Sequence, residues 1–315
     1  MGRWYHGCFW SVVILNNFRQ LLIRTQARLE RADLWFGHGY ESAHDEAVAL
    51  VLAAADLPHT TGAEILEQEV PVAACEQLEH FMDRRIHQRE PVAYIIGHAA
   101  LGPLSFITDS RALVPRSPLM ATIQSGFYPW WQGEGPQSIV DVCCGGGSLG
   151  LLAAWALPES QVTLLDIDAR ALSLARENLA LHKLTNVQIK EGDLLEPILG
   201  SENTDIILAN PPYVDALDMA SLPDEYHHEP RLALAAGVDG LDLVHRLMAQ
   251  ATSVLSPNGL LFLEVGNSWE ALEAAYPCSA FTWLELESGG HGVCVLSRDE
   301  ISHAIHTKHN GLEKV

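Results

Sequence analysis

The sequence predicts an α/β fold: a mostly parallel sheet with helices on both faces, carrying a small N-terminal helical domain joined to it by a β-hairpin. Three observations predict it. From Ser138 onward, compact apolar runs alternate with helical segments. A glycine triplet, Gly145-Gly146-Gly147, separates the first apolar run from the first of these helices. Up to Glu90 the pattern is helical and no strand-like run occurs.

The elements follow in order. Phe18, Leu21, Leu22 and Leu29 recur at helical spacing within 17–33. A loop with Gly37, His38, Gly39 and Tyr40 comes next, then a buried helix from Asp45 to Ala55. A helix over 73–89 ends in Arg84, Arg85 and Arg89, read as a solvated helix end, and Pro91 stops it. Val92-Ala93-Tyr94-Ile95-Ile96-Gly97 and Leu104-Ser105-Phe106-Ile107 are β-type runs around Gly102-Pro103, and a helix is expected near 118–126. The sheet strands are then Ile139–Val142, Val162–Asp166, Val187–Ile189, Asp205–Ala209, Gly259–Val265, Phe281–Leu286 and Val293–Leu296, seven in all. Helices are expected at Leu149–Ala156, Ala169–Leu181 and about 240–255. Gly289-Gly290 sets the last two strands as an antiparallel addition at one edge. The expected domains are 1–91 (helical, substrate-recognising), 92–115 (hairpin linker), 116–300 (catalytic) and a flexible polar tail, 301–315.

Composition limits the functions available. The 315 residues are 48% hydrophobic and 19% charged, enough for a large core. Lys plus Arg total 19 against 40 Asp plus Glu, a net charge of −21. Such a surface repels nucleic acid and anionic membrane and attracts a basic partner. Cysteines 8, 75, 143, 144, 278 and 294 form no Cys-x-x-Cys pair and no zinc pattern, which suits reduced thiols in a cytoplasmic protein. Cys8–Leu15 is too short to span a bilayer and lacks a cleavage site, so it reads as the start of a helix.

Asp141-Val142-Cys143-Cys144-Gly145-Gly146-Gly147-Ser148 sits at a strand end before a helix, where glycines let backbone approach a ligand. Asp166 ends the next strand and can accept both ribose hydroxyls of a nucleoside. Asp193 follows the third strand and can accept from an adenine amino group, with Leu194 packing on the ring. Gly145, Gly147 and Gly150 also satisfy a dinucleotide-binding spacing, so the loop alone leaves NAD open. Asp141 beside the glycines suits a cation better than a pyrophosphate, and S-adenosylmethionine presents a sulfonium and an ammonium.

Asn210-Pro211-Pro212-Tyr213 follows the fourth strand. The Asn210 side-chain oxygen accepts a hydrogen bond. The two prolines fix φ and donate nothing, so the local backbone offers carbonyl acceptors only. Two fixed acceptors match the two hydrogens of an –NH₂ group, and Tyr213 offers a flat face for a planar amide or base. An amide nitrogen is a poor nucleophile because its lone pair is delocalised into the carbonyl. Holding it in line with a methyl carbon, with both N–H groups bonded, raises its electron density and stabilises the charge that develops on it. No metal is needed.

These residues together resemble class I S-adenosylmethionine-dependent methyltransferases of the HemK type, which modify the N(5) amide of glutamine in proteins. Trp35-Phe36-Gly37-His38-Gly39, Pro91-Val92-Ala93-Tyr94, Leu113-Val114-Pro115-Arg116-Ser117-Pro118, the stretch from Asn210 to Pro230, Glu264-Val265-Gly266-Asn267-Ser268 and Phe281-Thr282-Trp283-Leu284-Glu285 resemble its PrmB branch. The similarity runs from about residue 20 to 298. It implies a Rossmann-like sheet, S-adenosylmethionine as cofactor, and as substrate a glutamine of large-subunit ribosomal protein three. It further implies that Asn210 and Pro211 bind the glutamine amide, flanked by Tyr213. The cofactor would be held by Asp141, Cys143, Cys144, Gly145, Gly146, Gly147, Asp166, Asp193 and Leu194, with Asn210 facing it. The branch commonly has Thr and Ser where Cys144 and Gly146 stand, and an aromatic residue where Leu194 stands. The segment before residue 17 lies outside the resemblance.

Two alternatives share the chemistry. Adenine N6-methyltransferases of nucleic acid use the same Asn-Pro-Pro-Tyr logic, but must also flip a base and hold phosphates. The net charge of −21 argues against that, as it argues against a membrane partner. A sister branch modifies the Gly-Gly-Gln glutamine of peptide release factors; only the flanking motifs separate it, and they favour a free, basic ribosomal protein. A purely structural reading, with the helices as a binding module, leaves Asn210-Pro211-Pro212-Tyr213 without a purpose. His227-His228-Glu229 is expected to belong to a substrate loop rather than a metal site.

Overall fold

The computed structural model describes residues 17–285 and 292–312. The expected helix start at Cys8–Leu15 and the Gly289-Gly290 turn lie outside the described residues. The chain divides into two compact units, Met1–Ile96 and Gly97–Val315.

Among the described residues the first unit holds four α-helices: α1 (Phe18–Glu30), α2 (Ala43–Ala54), α3 (Val72–His87) and α4 (Val92–Ile96). Asn17 and Ser42 cap α1 and α2, each side-chain oxygen accepting a backbone N–H three residues on. Phe18, Leu29, Leu50, Leu78, Met82, Val92 and Ile95 form one core. The Val92–Gly97 run, expected as β, is helical up to Ile96. Its first turn is held by Tyr94 and Ile95 donating to the Pro91 carbonyl. A short run buried all round carries no periodicity that separates helix from strand.

The arginines expected to be solvated are engaged. Arg85 is 1% exposed and meets Glu46 with both Nε (2.8 Å) and Nη2 (3.0 Å), while Nη2 also donates to the Trp35 carbonyl. Arg84 pairs with Glu90 at 2.6 Å, and Arg89 donates to the Asp33 carbonyl. Their partners come from distant or following segments, which helix-end polarity does not reveal.

The second unit opens with the antiparallel hairpin β1 (His98–Leu101) and β2 (Leu104–Ile107), which turns at Gly102-Pro103. After α5 (Leu119–Gln124) the chain alternates strand and helix: β3 (Ser138–Val142), α6 (Ser148–Ala156), β4 (Gln161–Asp166), α7 (Ala169–His182), β5 (Val187–Glu191) and β6 (Thr204–Ala209). Then come α8 (Ala216–Ser221), α9 (Asp242–Ala251), β7 (Leu255–Glu264), α10 (Trp269–Ala275), β8 (Thr282–Trp283), β9 (Val293–Ser297) and α11 (Arg298–Leu312). The seven-stranded sheet has the order β5-β4-β3-β6-β7-β9-β8. Pairs among β3 to β7 are parallel, and β9 runs antiparallel between β7 and β8. Because β3 leads outward to β4 on one side and β6 starts the other, the order reverses between β3 and β6. That is where an open α/β sheet forms a ligand crevice at its carboxyl ends.

Both faces of the sheet are covered, so its strands read as unbroken apolar runs. On β6, Ile206 and Leu208 pack with Phe262 and the α5, α6 and α7 side chains. Ile207 and Ala209 face the opposite layer, with Val244, Leu247 and Met248 of α9. The tail expected to be flexible from 301 is helical as far as Leu312, in α11. Ile301 and Ala304 are fully buried in the α9 layer, with Ile305 packed beside them. Their helical spacing, not the polar composition around them, decides the outcome. Among the described residues no helix is long and apolar enough to cross a membrane.

Candidate active site

A cavity of about 330 Å³ opens at the carboxyl ends of β3 to β6. Of the residues expected to act, Asp141, Cys143, Cys144, Gly145, Gly146, Asp166, Asp193, Leu194, Asn210 and Pro212 line it. Gly147, Pro211 and Tyr213 do not.

The glycine loop is shaped from within. Asp141, 1% exposed, accepts from the Gly150 N–H at 2.7 Å, which ties the end of β3 to the first turn of α6. Gly150 permits this: a Cβ there would sit 2.2 Å from Leu164 Cδ2 and 2.9 Å from Asp141 Cβ. Gly147 caps α6 in the left-handed region and packs against Leu164 and Ala175, away from the cavity. Asp166 accepts from the Gly145 N–H at 2.8 Å and the Asp168 N–H at 2.9 Å, so one carboxylate organises both the loop and the β4 end. Asn178 of α7 donates to the Gly146 and Ile107 carbonyls and accepts from the Ile107 N–H, joining hairpin, helix and loop.

Three carboxylates at successive strand ends give the cavity a negative rim. Burial pushes Asp141 up to about 7; the Gly150 N–H opposes this and nearby Asp166 adds to it. Burial also raises Asp166, against the backbone N–H groups of Asp168 and Gly145. Asp193 Oδ2 is taken by Arg246 at 2.6 Å. Burial and the charge of Asp166 hold the Cys143 thiol well above its usual range, so it is an inert lining group.

This rim fits S-adenosylmethionine. The carboxylates suit a ligand with a net positive sulfonium portion and ribose hydroxyls. Side-chain-free Gly145 and Gly146 let it approach the backbone, and Leu194 gives an apolar wall. The volume lies at the lower end of the range for small-molecule pockets.

Asn210 enters the same cavity directly after β6. Behind it lies a polar network that sequence reasoning missed. Glu264 closes β7, the neighbour of β6, with Ala209 opposite Leu263. It is 6% exposed and accepts from the Ser117 hydroxyl at 2.6 Å and from the Tyr213 hydroxyl at a long 3.5 Å. Burial pushes Glu264 up to about 7, although Ser117, Arg116, Tyr213 and Asn210 all hold it down. Beside it, Arg116 meets Glu229 through two 2.7 Å bonds and stacks over Tyr226 at 5.6 Å. Glu229 also accepts from the Val114 N–H at 3.0 Å, so it serves this clamp. The Tyr213 ring rests on Gly266, where a Cβ would fall 2.5 Å from the ring edge, and its carbonyl accepts from Ser268 at 2.8 Å. Segments 113–118 and 264–268 lie far from Asn210 in sequence, so no spacing rule joins them.

Comparison with known proteins agrees with this architecture. Residues 20–97 match the model of the PrmC N-terminal domain, and 132–224 the methyltransferase small domain. The chain is 38% identical to the ribosomal protein uL3 glutamine methyltransferase of Bordetella pertussis, over 91% of this chain and 97% of that one. It is 36% identical to that of Francisella tularensis, over 91% and 92%, and 37% identical to that of Neisseria gonorrhoeae, over 91% and 96%. The chain belongs to the ribosomal protein uL3 glutamine methyltransferase family. Among solved structures, the hMettl16 catalytic domain in complex with the MAT2A 3′UTR hairpin 6 shares the fold, with a TM-score of 0.50 and 16% identity. That match covers 62% of this chain and 76% of that one. The family fixes S-adenosylmethionine as methyl donor.

Proposed function

We propose that this chain transfers a methyl group from S-adenosylmethionine to the side-chain amide nitrogen of a glutamine in ribosomal protein uL3, acting on the free basic protein in the cytoplasm. The observation that carries the reading is that Asn210 opens onto the same cavity as the Asp141, Asp166 and Asp193 rim. A methyl donor held by the rim and an amide held by Asn210 would be neighbours.

When bound, S-adenosylmethionine supplies an electrophilic methyl group on sulfur. The protein supplies alignment. Asn210 accepts one amide N–H through its side-chain oxygen, a carbonyl of the Asn210-Pro211 backbone accepts the other, and the Tyr213 ring stiffens the turn. Asp166 takes the ribose, and Asp193 and Leu194 the adenine. With both hydrogens bonded, the nitrogen keeps more of its lone pair for the in-line attack, the charge it gains is stabilised, and one of its two protons is lost after the transfer to leave the neutral N-methyl amide. The helical unit, 1–96, is assigned to docking the ribosomal protein.

The reading is tested by mass-shift assays of purified enzyme with free uL3, a release factor and DNA in parallel. A single methyl addition on uL3 is expected, with none on DNA; DNA modified alone would overturn the reading. Asn210→Ala is expected to abolish transfer and keep most cofactor affinity, and full activity in that variant would refute the mechanism.

A further inference from the structure

We propose that Arg116 and Glu229 are positioning residues whose ion pair holds the 215–234 loop as a wall of the cavity that Asn210 lines. The inference rests on the reading of that cavity as the place where a glutamine amide meets the methyl donor.

The chain leaves the Asn210-Pro211-Pro212-Tyr213 turn at Val214 and comes back to that residue at Ala235. The Val214 N–H donates to the Leu234 carbonyl at 2.9 Å, and the Ala236 N–H to the Val214 carbonyl at 3.0 Å, so the two ends of the loop are stitched together. This fixes the neck of the loop and leaves its body to other ties. The body holds α8 and two short 3₁₀ turns, elements too short to hold themselves. Yet Pro230, Leu232 and Ala233 from this body line the cavity. Leu232 is also 57% exposed, which puts it at the cavity mouth, in the path of an incoming polypeptide.

Arg116 supplies the tie. The 3₁₀ turn Asp224–His228 ends with the Glu229 N–H donating to the Tyr226 carbonyl at 3.1 Å. Side chains three apart on such a turn lie on one side. Tyr226 and Glu229 therefore face one guanidinium together. Arg116 Nη1 and Nη2 donate to the two Glu229 oxygens at 2.7 Å each, and the guanidinium lies 5.6 Å from the centre of the Tyr226 ring. The Val114 N–H adds a third bond to Glu229 at 3.0 Å. A planar fork matches a carboxylate at both oxygens, which fixes direction as well as distance. The Glu229 side chain has no exposed surface, so water does not compete for these bonds.

The tie reaches the sheet through the next residue. Ser117 donates to Glu264 Oε2 at the end of β7 at 2.6 Å, so Arg116 and Ser117 hold the loop on one side and the sheet on the other. Pro230 follows Glu229 directly, so fixing the Glu229 carboxylate fixes the start of the lining segment. Glu229 does not line the cavity, and its effect on transfer runs through Arg116 and the loop.

The test uses the full chain, with kcat and KM for methylation of free uL3, cofactor affinity measured separately, and the rate at which trypsin cuts after Arg231, an exposed residue of the loop. Glu229→Gln is expected to lower kcat/KM on the order of 100-fold, the scale of a misplaced reacting group. Cutting at Arg231 is expected to speed up, and cofactor affinity to stay at the wild-type value. Arg116→Met is expected to match that loss, and Arg116→Lys, which keeps the charge without the fork, to recover part of it. Because the two residues act through one pair, the double variant Arg116→Met/Glu229→Gln is expected to lose no more than the worse single variant. Losses that multiply in the double variant, or an unchanged rate of cutting at Arg231, overturn the inference. So does a loss of cofactor affinity as large as the loss of kcat/KM, which would make the pair a structural support of the whole cavity. Wild-type kcat/KM in Glu229→Gln and Arg116→Met, alongside an inactive Asn210→Ala, overturns this inference alone; an active Asn210→Ala overturns the reading beneath it.

Discussion

Cofactor affinity should depend on pH through Asp141. This carboxyl is 1% exposed and burial pushes it up to about 7, against about 3.9 for an ordinary aspartate. At pH 6, below that raised value, about nine in ten molecules carry the proton. A cationic ligand binds the ionised form, so its affinity at pH 6 is expected to be about tenfold weaker than above pH 8, or about 1.4 kcal/mol. Binding at pH 6 is then expected to release close to one proton. The same titration bears on folding. A carboxyl raised in the folded state contributes stability in full below its unfolded value, and loses it as pH rises through about 7. The distance from about 3.9 to about 7 sets that loss at about 4 kcal/mol as an order of magnitude. A bound cation offsets it, so the cofactor should protect against melting more at pH 8 than at pH 6. Titration calorimetry in two buffers of different protonation enthalpy measures both affinity and proton release. Asp141→Asn should flatten most of the pH slope, with Asp166, also raised by burial, keeping a remainder. Equal wild-type affinity at pH 6 and pH 8, or an undiminished slope in Asp141→Asn, would refute the assignment of Asp141 to the cationic part of the ligand.

Two further outcomes concern stability. Glu46→Ala leaves Arg85 buried without its carboxylate; the pair is 1% and 3% exposed, and breaking such a pair costs about 3–5 kcal/mol, to be read from denaturant unfolding of the full chain. Gly150→Ala puts a Cβ 2.2 Å from Leu164 Cδ2 and 2.9 Å from Asp141 Cβ. Overpacking on that scale costs about 1–3 kcal/mol. Because it also displaces the Asp141 carboxyl, cofactor affinity should fall together with the melting temperature, which thermal shift with and without ligand would show.

Much of the sheet domain was legible in the sequence because each parallel strand is buried on both faces and flanked by helices, so apolar runs mark it without ambiguity. The placement of the glycine loop and Asn210 at the cavity was legible for a related reason: both follow strand ends beside the switch point, and each motif is local. Three readings failed where the deciding partner is distant. Val92–Ile96 is helical because Pro91 supplies the first acceptor, a detail invisible in a five-residue apolar run. Arg85 looked solvated because Glu46 lies in another helix. Residues from 301 looked loose because only Ile301, Ala304 and Ile305 carry the packing. Glu264 and Arg116 stood in the sequence only inside resembling motifs, and their pairing was missed for the same reason, since their bonds join β7, the 113–118 segment and the loop after Tyr213.

Asn210-Pro211-Pro212-Tyr213 suits any planar –NH₂, so this turn cannot by itself choose between a glutamine and an adenine. The fold does not choose either, since the hMettl16 catalytic domain, solved with an RNA hairpin, shares it. The arginines around the cavity weigh on the choice. A nucleic-acid enzyme needs cations available to phosphates. Here Arg111 is held by Asp109 and Glu177, Arg116 by Glu229, Arg170 by Asp168 and Arg246 by Asp193. Each faces a carboxylate within 3 Å, at 2.7, 2.6, 2.7, 2.9 and 2.6 Å in turn. Releasing one to a phosphate would leave its carboxylate unpaired on a chain already at −21. A basic protein faces no such cost. Under the proposed reading it would meet a surface of the opposite sign and would need only to deliver one uncharged side-chain amide to Asn210.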